Sequence, residues 1–393
     1  MQTLQEFRAE RGRTIAEKYN LDLYILSLPE NIEYFSGFYP FTINMLYSAE
    51  GYLVYDPHTG KQAMVTAASD IPTLIEEDYK GGTYVVGAFK FYNPSTEGFA
   101  DKIRNMTQKR FSCTAEAILA AMHDIAPDAK RVLFDESHTP IGTWRAVTEK
   151  HPEICFEEGA ALLREVKYLK HLEEIQNLKI AANIAEDALM STLSYIRPGI
   201  SEYDIETHYL REVALRRCDP YFIVATANER AAFSDTVNRS TEIIRDGSMV
   251  RFDFGCIYKR YRSDLARTVV VGNNPKAEAY YQAILQGQER AIEAIRPGVT
   301  AGEIFDIAVK ETRKGGIPHY ERHHVGHGIG LATYDLPSIA PGNNTCLEEG
   351  MVLCIETPYY EIGWGGVQVE DTVVITKNGA KYLTKTPRTL IKL

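Results

Sequence analysis

Apolar positions along the chain switch between helical and strand spacing. Leu4–Tyr19 repeats them with helical period, and Leu23–Leu28 is a short apolar run of strand length. Gly51–Thr66 carries two period-two runs around Asp56-Pro-His-Thr-Gly60, which predicts a hairpin. Thr114–Ile125 predicts a helix and Arg131–Phe134 a strand. Residues 1–160 therefore predict a mixed α/β domain with no evident chemistry of its own. From Leu162, LLREVKYLKHLEEIQNLK runs into AANIAEDALMSTLSYI, predicting one long helix to Tyr195 that is rich in Glu/Lys pairs. That helix opens a second domain over residues 161–393.

The second domain contains a repeat. Ile196-Arg-Pro-Gly-Ile-Ser201 recurs ninety-nine residues later as Ile295-Arg-Pro-Gly-Val-Thr300. In each copy Pro-Gly stops one helix and a Ser or Thr N-cap starts the next. Each cap has an acidic residue three positions on, Asp204 and Glu303. Strand-like sequence follows both copies. The pattern predicts a duplicated half-domain with pseudo-twofold symmetry, and a site built from both halves.

Composition narrows the function. In 393 residues, 43 Lys+Arg face 53 Asp+Glu, a net charge of −10. No basic excess exists to bind nucleic acid or an anionic membrane non-specifically. Apolar runs such as Thr268–Gly272 and Met351–Ile355 fall far short of the ~18 residues a membrane span needs. The start, MQTLQEFRAERGR, is charged where a secretory leader would be apolar, so a cytoplasmic location is expected. Six scattered cysteines with no C-x-x-C pair read as reduced, mostly buried thiols.

Met249–Val271 holds two strand-like runs. A two-residue turn at Tyr258-Lys259 would set Asp253 and Asp264 directly opposite each other on one face. Two carboxylates facing in a buried hairpin need a proton or a cation; the alternative is a hairpin-edge Asp plus an Asp paired with Arg267. His323-His324-Val-Gly-His327-Gly-Ile-Gly330 places imidazoles in a glycine-rich turn. Glu356 is embedded in the apolar run Met351–Pro358, and Glu370 and Asp371 lie inside Gly366–Thr376. Four such carboxylates and a glycine-flanked histidine make a poor set of isolated salt bridges and a good dinuclear metal site.

On these residues the chain resembles the pita-bread metallohydrolases, which include methionine aminopeptidase, prolidase, aminopeptidase P and creatinase. The family's ordered ligands, Asp…Asp…His…Glu…Glu, match Asp253, Asp264, His327, Glu356 and Glu370. Each sits in its own signature: D-x-G at Asp253, S-D-x-x-R-T at Ser263–Thr268, G-H-G-I-G at Gly326–Gly330, E-T-P at Glu356 and V-E-D at Glu370. Pro29-Glu-Asn-Ile-Glu-Tyr-Phe-Ser-Gly37 is similar to the N-terminal domain of the prolidase, aminopeptidase P and creatinase branch. The resemblance implies an α+β chain, a creatinase-like α/β domain followed by a pseudo-twofold pita-bread catalytic domain. It also implies two divalent ions, Mn²⁺ first on this oxygen-rich ligand set with Co²⁺, Fe²⁺ or Zn²⁺ admitted, and a homodimer.

The departures lie around the substrate. Relatives carry a histidine near the position of Asp235 and Thr236, and this chain has none between His208 and His319. A second histidine, seven residues after the ligand histidine, is Tyr334 here; the arginine usual two residues before the last Glu is Gln368. His323 matches the first histidine of the prolidase-type H-G-T-G-H motif. By resemblance Glu356 is both ligand and proton acceptor, with His323, Tyr334 and Gln368 facing a small-molecule or dipeptide substrate. Tyr221, Tyr258, Tyr261, Tyr359 and Tyr360 also lie near the ligand motifs, as an aromatic pocket or as a tyrosine-rich core. The expected activity is hydrolysis of a C–N bond of the Xaa-Pro dipeptide type. The alternatives are a creatinase-like hydrolase of a non-peptide amide or amidine, and a peptide-binding module without catalysis.

Overall fold

The computed structural model describes residues 2–46, 50–233 and 238–393, with Asn44 described for its backbone only. The chain divides into two compact units, Met1–Val166 and Lys167–Leu393. The first is built on seven strands: β1 (Leu23–Leu26), β2 (Tyr52–Tyr55), β3 (Gln62–Ala67), β4 (Gly82–Val86), β5 (Arg110–Phe111), β6 (Arg131–Phe134) and β7 (Cys155–Glu158). They lie in the order β5-β4-β3-β2-β1-β6-β7. The hairpin of β2 and β3 forms around residues 56–61, with Tyr55 opposite Gln62. Alternate strand positions, among them Leu23, Ile25, Val54, Val65 and Val132, pack on Ala117, Ile118 and Ala121 of the helix Thr114–Ile125.

The expected long helix after Leu162 is two helices, Ala160–Val166 and Leu172–Leu193. The first belongs to the first unit because the opening helix Leu4–Tyr19 holds it. Arg11 donates to the carbonyls of Val166 (3.2 Å) and Glu165 (3.4 Å), and Lys18 Nζ pairs with the Glu165 carboxylate at 2.6 Å. The units therefore part between Val166 and Lys167 rather than at 160/161. His171 then restarts the chain as an N-cap, in a reciprocal box with Glu174.

The second unit carries β8 (Asp219–Ala227), β9 (Met249–Tyr258), β10 (Tyr261–Arg262), β11 (Leu265–Val270), β12 (Gly326–Gly328), β13 (Asp335–Ser338), β14 (Val352–Glu356), β15 (Tyr359–Glu361), β16 (Gly365–Val367) and β17 (Glu370–Thr376). Its main sheet runs β10-β9-β11-β17-β14-β12-β13, with β8 on β9. The repeat is visible in detail. Ser201 and Thr300 each close a capping box, with Asp204 and Glu303. Gly199 N–H donates to Ile244 O and Gly298 N–H to Leu347 O, both at 2.9 Å. Both glycines sit at left-handed φ, +97° and +91°, which a side chain would strain. Each half has its own core, one around Leu189, Ile205, Phe252 and Phe254, the other around Ile284, Ile304, Leu353 and Val373. The halves meet where β11 pairs with β17, Ala266 opposite Glu370.

The β9–β10 turn falls one residue later than expected. Tyr258 pairs with Tyr261, and Lys259 and Arg260 take φ +47° and +70°, as a two-residue primed turn requires. Asp253 consequently faces Ala266 and not Asp264. The shift of two in register keeps both aspartates on one face. Three of the six cysteines, Cys113, Cys155 and Cys346, are exposed, so the thiols are not mostly buried. No helix among the described residues is long and apolar enough to cross a membrane.

Candidate metal centre

The D-x-G signature has a steric origin. A Cβ at Gly255 would lie 2.0 Å from Ser263 O, so only glycine lets the chain after β10 close on β9. That approach brings Asp264 beside Asp253. Their carboxylates and that of Glu370 place ligand atoms within 4.8 Å of one another. Gly326 does the same for the imidazole: its φ is +151°, and a Cβ there would meet Cys354 O at 2.2 Å. His327, next in chain, is thus held on β12 opposite Cys354. Glu356 and Glu370 are directly opposed on β14 and β17. All five expected ligands are buried, each 6% exposed or less, and they come from both halves of the repeat.

The donor set fits divalent cations. Like charges directly opposed across strands repel, and Glu356–Glu370 is such a pair. Arg267, the alternative partner for an aspartate, is committed elsewhere: it donates to Asp371 Oδ1 (2.7 Å) and to the carbonyls of Glu370, Ala266, Thr386 and Pro387. It therefore fixes the strand carrying Glu370 and leaves Asp264 to the centre. The His327 ring is oriented too. Nδ1 lies 2.9 Å from Gly328 O, and since a carbonyl only accepts, Nδ1 carries the hydrogen. The Nε2 lone pair then faces Asp264 Oδ2 at 3.6 Å, an arrangement that a shared cation makes favourable. The Cys354 thiol also converges with His327 and Glu370, ligand atoms within 4.8 Å of one another.

Above the carboxylates lies a cavity of about 200 Å³ lined by Asp253, Asp264, Glu356 and Glu370 below and by Tyr221, Phe222, Thr333 and Tyr334 around it. Tyr334 stacks on His327, ring centroids 3.9 Å apart at 29°. Tyr334 is 54% exposed, yet partial desolvation first, and then the carboxylates of Glu356 and Glu370, raise its phenol above the ordinary range, so the hydroxyl keeps its proton and is able to donate.

The other expected shell residues are placed differently. His323 is exposed and packs edge-on against His324; it does not line the cavity. Slight desolvation, and then the neighbouring Arg322 cation, lower its pKa. His324 is the imidazole beside the centre, with Nδ1 3.3 Å from Glu356 Oε1, and the Arg322 guanidinium approaches Glu356 Oε2 at 3.9 Å. Gln368 does not face the cavity: it is 1% exposed, its amide held between Asp253 and Arg251. Asp235 and Thr236 lie outside the described residues. Of the other tyrosines, Tyr221 lines the cavity, Tyr261 donates to Glu174, Tyr359 pairs with His319, and Tyr360 lies under the guanidiniums of Arg251 and Arg322. His324, Arg322 and Arg251 were missed, because no sequence period marks which of two adjacent histidines turns inward, or pairs Arg251 with a residue 117 positions away.

A duplicated α+β unit whose halves jointly hold buried carboxylates and one imidazole defines a class, the enzymes that work through carboxylate-held divalent ions. Residues 176–377 match metallopeptidase family M24, and residues 8–166 match the creatinase/prolidase N-terminal domain. The chain belongs to metallopeptidase family M24 and is an enzyme of that metal-dependent type. It is 34% identical over 259 residues to an Xaa-Pro dipeptidase of Pyrococcus horikoshii, covering 65% of this chain and 74% of that one. It is 37% identical over 239 residues to an Xaa-Pro dipeptidase of Pyrococcus furiosus, covering 60% and 68%. The crystal structure of the Pyrococcus horikoshii prolidase superposes with a TM-score of 0.80 at 27% identity, over 98% of this chain and 99% of that one.

Proposed function

We propose that the protein is a manganese-dependent dipeptidase acting on Xaa-Pro substrates, with Asp253, Asp264, His327, Glu356 and Glu370 as its metal ligands. The reading is carried by one observation: the carboxylates of Asp253, Asp264, Glu356 and Glu370 line one cavity of about 200 Å³, with His327 Nε2 3.6 Å from Asp264 Oδ2. Divalent ions in this site supply Lewis acidity and a water acidified toward neutral pH. Glu356 takes the proton from the attacking water, its two oxygens steered by His324 at 3.3 Å and Arg322 at 3.9 Å. Tyr334, a protonated phenol at the cavity wall, donates to the oxyanion that forms on the scissile carbonyl. His324 takes the place in this scheme that the sequence motif assigned to His323. Phe222 and Tyr221 offer apolar faces to the prolyl ring. A homodimer rests on the family resemblance alone.

The full complement of donors counts against a metal-free, creatinase-like reaction and against an idle binding module. A panel of Xaa-Pro dipeptides with and without added Mn²⁺ tests the proposal. Manganese-dependent release of proline is expected. A protein that binds Mn²⁺ stoichiometrically and cleaves none of the panel would refute the substrate assignment.

A further inference from the structure

Arg251 is fully buried, and it sits two residues before Asp253 on the same face of β9. A buried guanidinium needs acceptors. Its Nε donates to Ala231 O at 3.1 Å, one terminal nitrogen donates to Gln368 Oε1 at 2.6 Å, and the cation lies over the Tyr360 ring at 5.1 Å. The same terminal nitrogen is 4.0 Å from Asp253 Oδ2, beyond hydrogen-bond reach. Gln368 fills that gap, its Nε2 donating to Asp253 Oδ2 at 2.8 Å. Its backbone is pinned as well, since Thr268 Oγ1 accepts from Gln368 N–H at 2.8 Å and donates to Gln368 O at 3.1 Å.

The chemistry permits only one orientation of this amide. A guanidinium can face only an acceptor and a carboxylate only a donor, so the Gln368 oxygen points to Arg251 and its nitrogen to Asp253. We propose that Arg251 and Gln368 are positioning residues for the metal centre, a relay in which the guanidinium sets the amide and the amide holds Oδ2 of Asp253, presenting the carboxylate to the ions in one rotamer. A positive charge placed on β9 thereby serves the carboxylate that a charge at position 368 could serve directly. The inference rests on the metal-ligand reading of Asp253.

Isothermal titration of the full-length, chelator-stripped protein with Mn²⁺, alongside thermal unfolding of the same metal-free samples, tests it. Arg251→Gln is expected to weaken Mn²⁺ binding at one site by about 10–100-fold, the usual effect of losing an outer partner of a ligand. Gln368→Arg alone, which sets two guanidiniums against each other, should do the same. The exchange variant Arg251→Gln/Gln368→Arg should return to within about threefold of wild type, because a guanidinium then donates to Asp253 directly. A purely structural role predicts lower metal-free stability with unchanged affinity per folded chain. That result, or an exchange variant no better than the singles, overturns the relay. Should Arg251→Gln not fold, Gln368→Met, which keeps the volume and leaves Arg251 bonded to Ala231, carries the same expectation and the same refutation. A wild type that binds no Mn²⁺ overturns the metal reading itself; normal wild-type binding with unaffected variants overturns the relay alone.

Discussion

Tyr334 sits face to face with the ring of His327 and at the wall of the cavity, so on the proposed reading one side chain would prop a ligand and meet the substrate. The stack needs only the ring, whereas the donor needs the hydroxyl, and the two uses can be separated. Tyr334→Phe keeps the stack and removes the donor. Metal affinity should stay unchanged while kcat falls by about 10²-fold, the typical loss of one oxyanion-stabilising group. Steady-state kinetics together with metal titration check this; an unchanged kcat would mean that the phenol is only a wall. Tyr334→His restores a group that can both give and take a proton near neutral pH, which a phenol held protonated cannot do. It should therefore raise turnover on prolyl substrates, whose amine is a poor leaving group. The identity of residue 334 was legible in the sequence as a departure from a motif. Its stacking was not, because a ring contact between positions seven apart in an irregular segment follows no helical or strand period.

Among the elements, the β9–β11 pair shows how far a linear pattern reaches. Both strands and the common face of Asp253 and Asp264 follow from apolar alternation, which survives a register shift of two. The register itself was hidden, since the turn places Lys259 and Arg260 at positive φ with neither Gly nor Asn to mark them. The helix that breaks after Val166 was hidden for a related reason. Continuous helical propensity runs through Leu162–Tyr195, and it is the hold of Arg11 and Lys18 on the first segment that divides it. Two of the five expected ligand motifs carry a local steric constraint that explains their glycines, Gly255 beside Asp253 and Gly326 beside His327. Gly255→Ala tests that claim. A methyl group 2.0 Å from Ser263 O must force the chain apart, at a cost of about 1–3 kcal/mol. Because Ser263 precedes Asp264, the variant should lose Mn²⁺ affinity by a larger factor than its loss of stability alone would produce. A destabilised protein with wild-type affinity would show that Asp264 is placed by other contacts.

At the scale of the whole chain, each of the two compact units has a core of its own, and only the second holds the centre. Within that second unit the two half-cores meet along β11 and β17, and the five proposed ligands straddle this seam: Asp253 and Asp264 from one half, His327, Glu356 and Glu370 from the other. Ions bound there tie the halves together and cancel the repulsion of four buried carboxylates. Metal removal should then act as the loss of a cross-link on one unit. A ligand present at 100 times its Kd stabilises the folded state by about 2.7 kcal/mol. For a unit the size of Lys167–Leu393 each kcal/mol moves the midpoint by about 2–4 °C, so saturating Mn²⁺ should raise its unfolding temperature over the chelated protein by about 5–10 °C. Hydrogen exchange followed by mass spectrometry locates the effect. Chelation should speed exchange along β9, β11, β14 and β17 and leave β1–β7 as they were. If chelation changed neither the midpoint nor the exchange of those four strands, the carboxylates would be neutralised without added ions, by protonation or by a cation of the protein such as Arg322, 3.9 Å from Glu356.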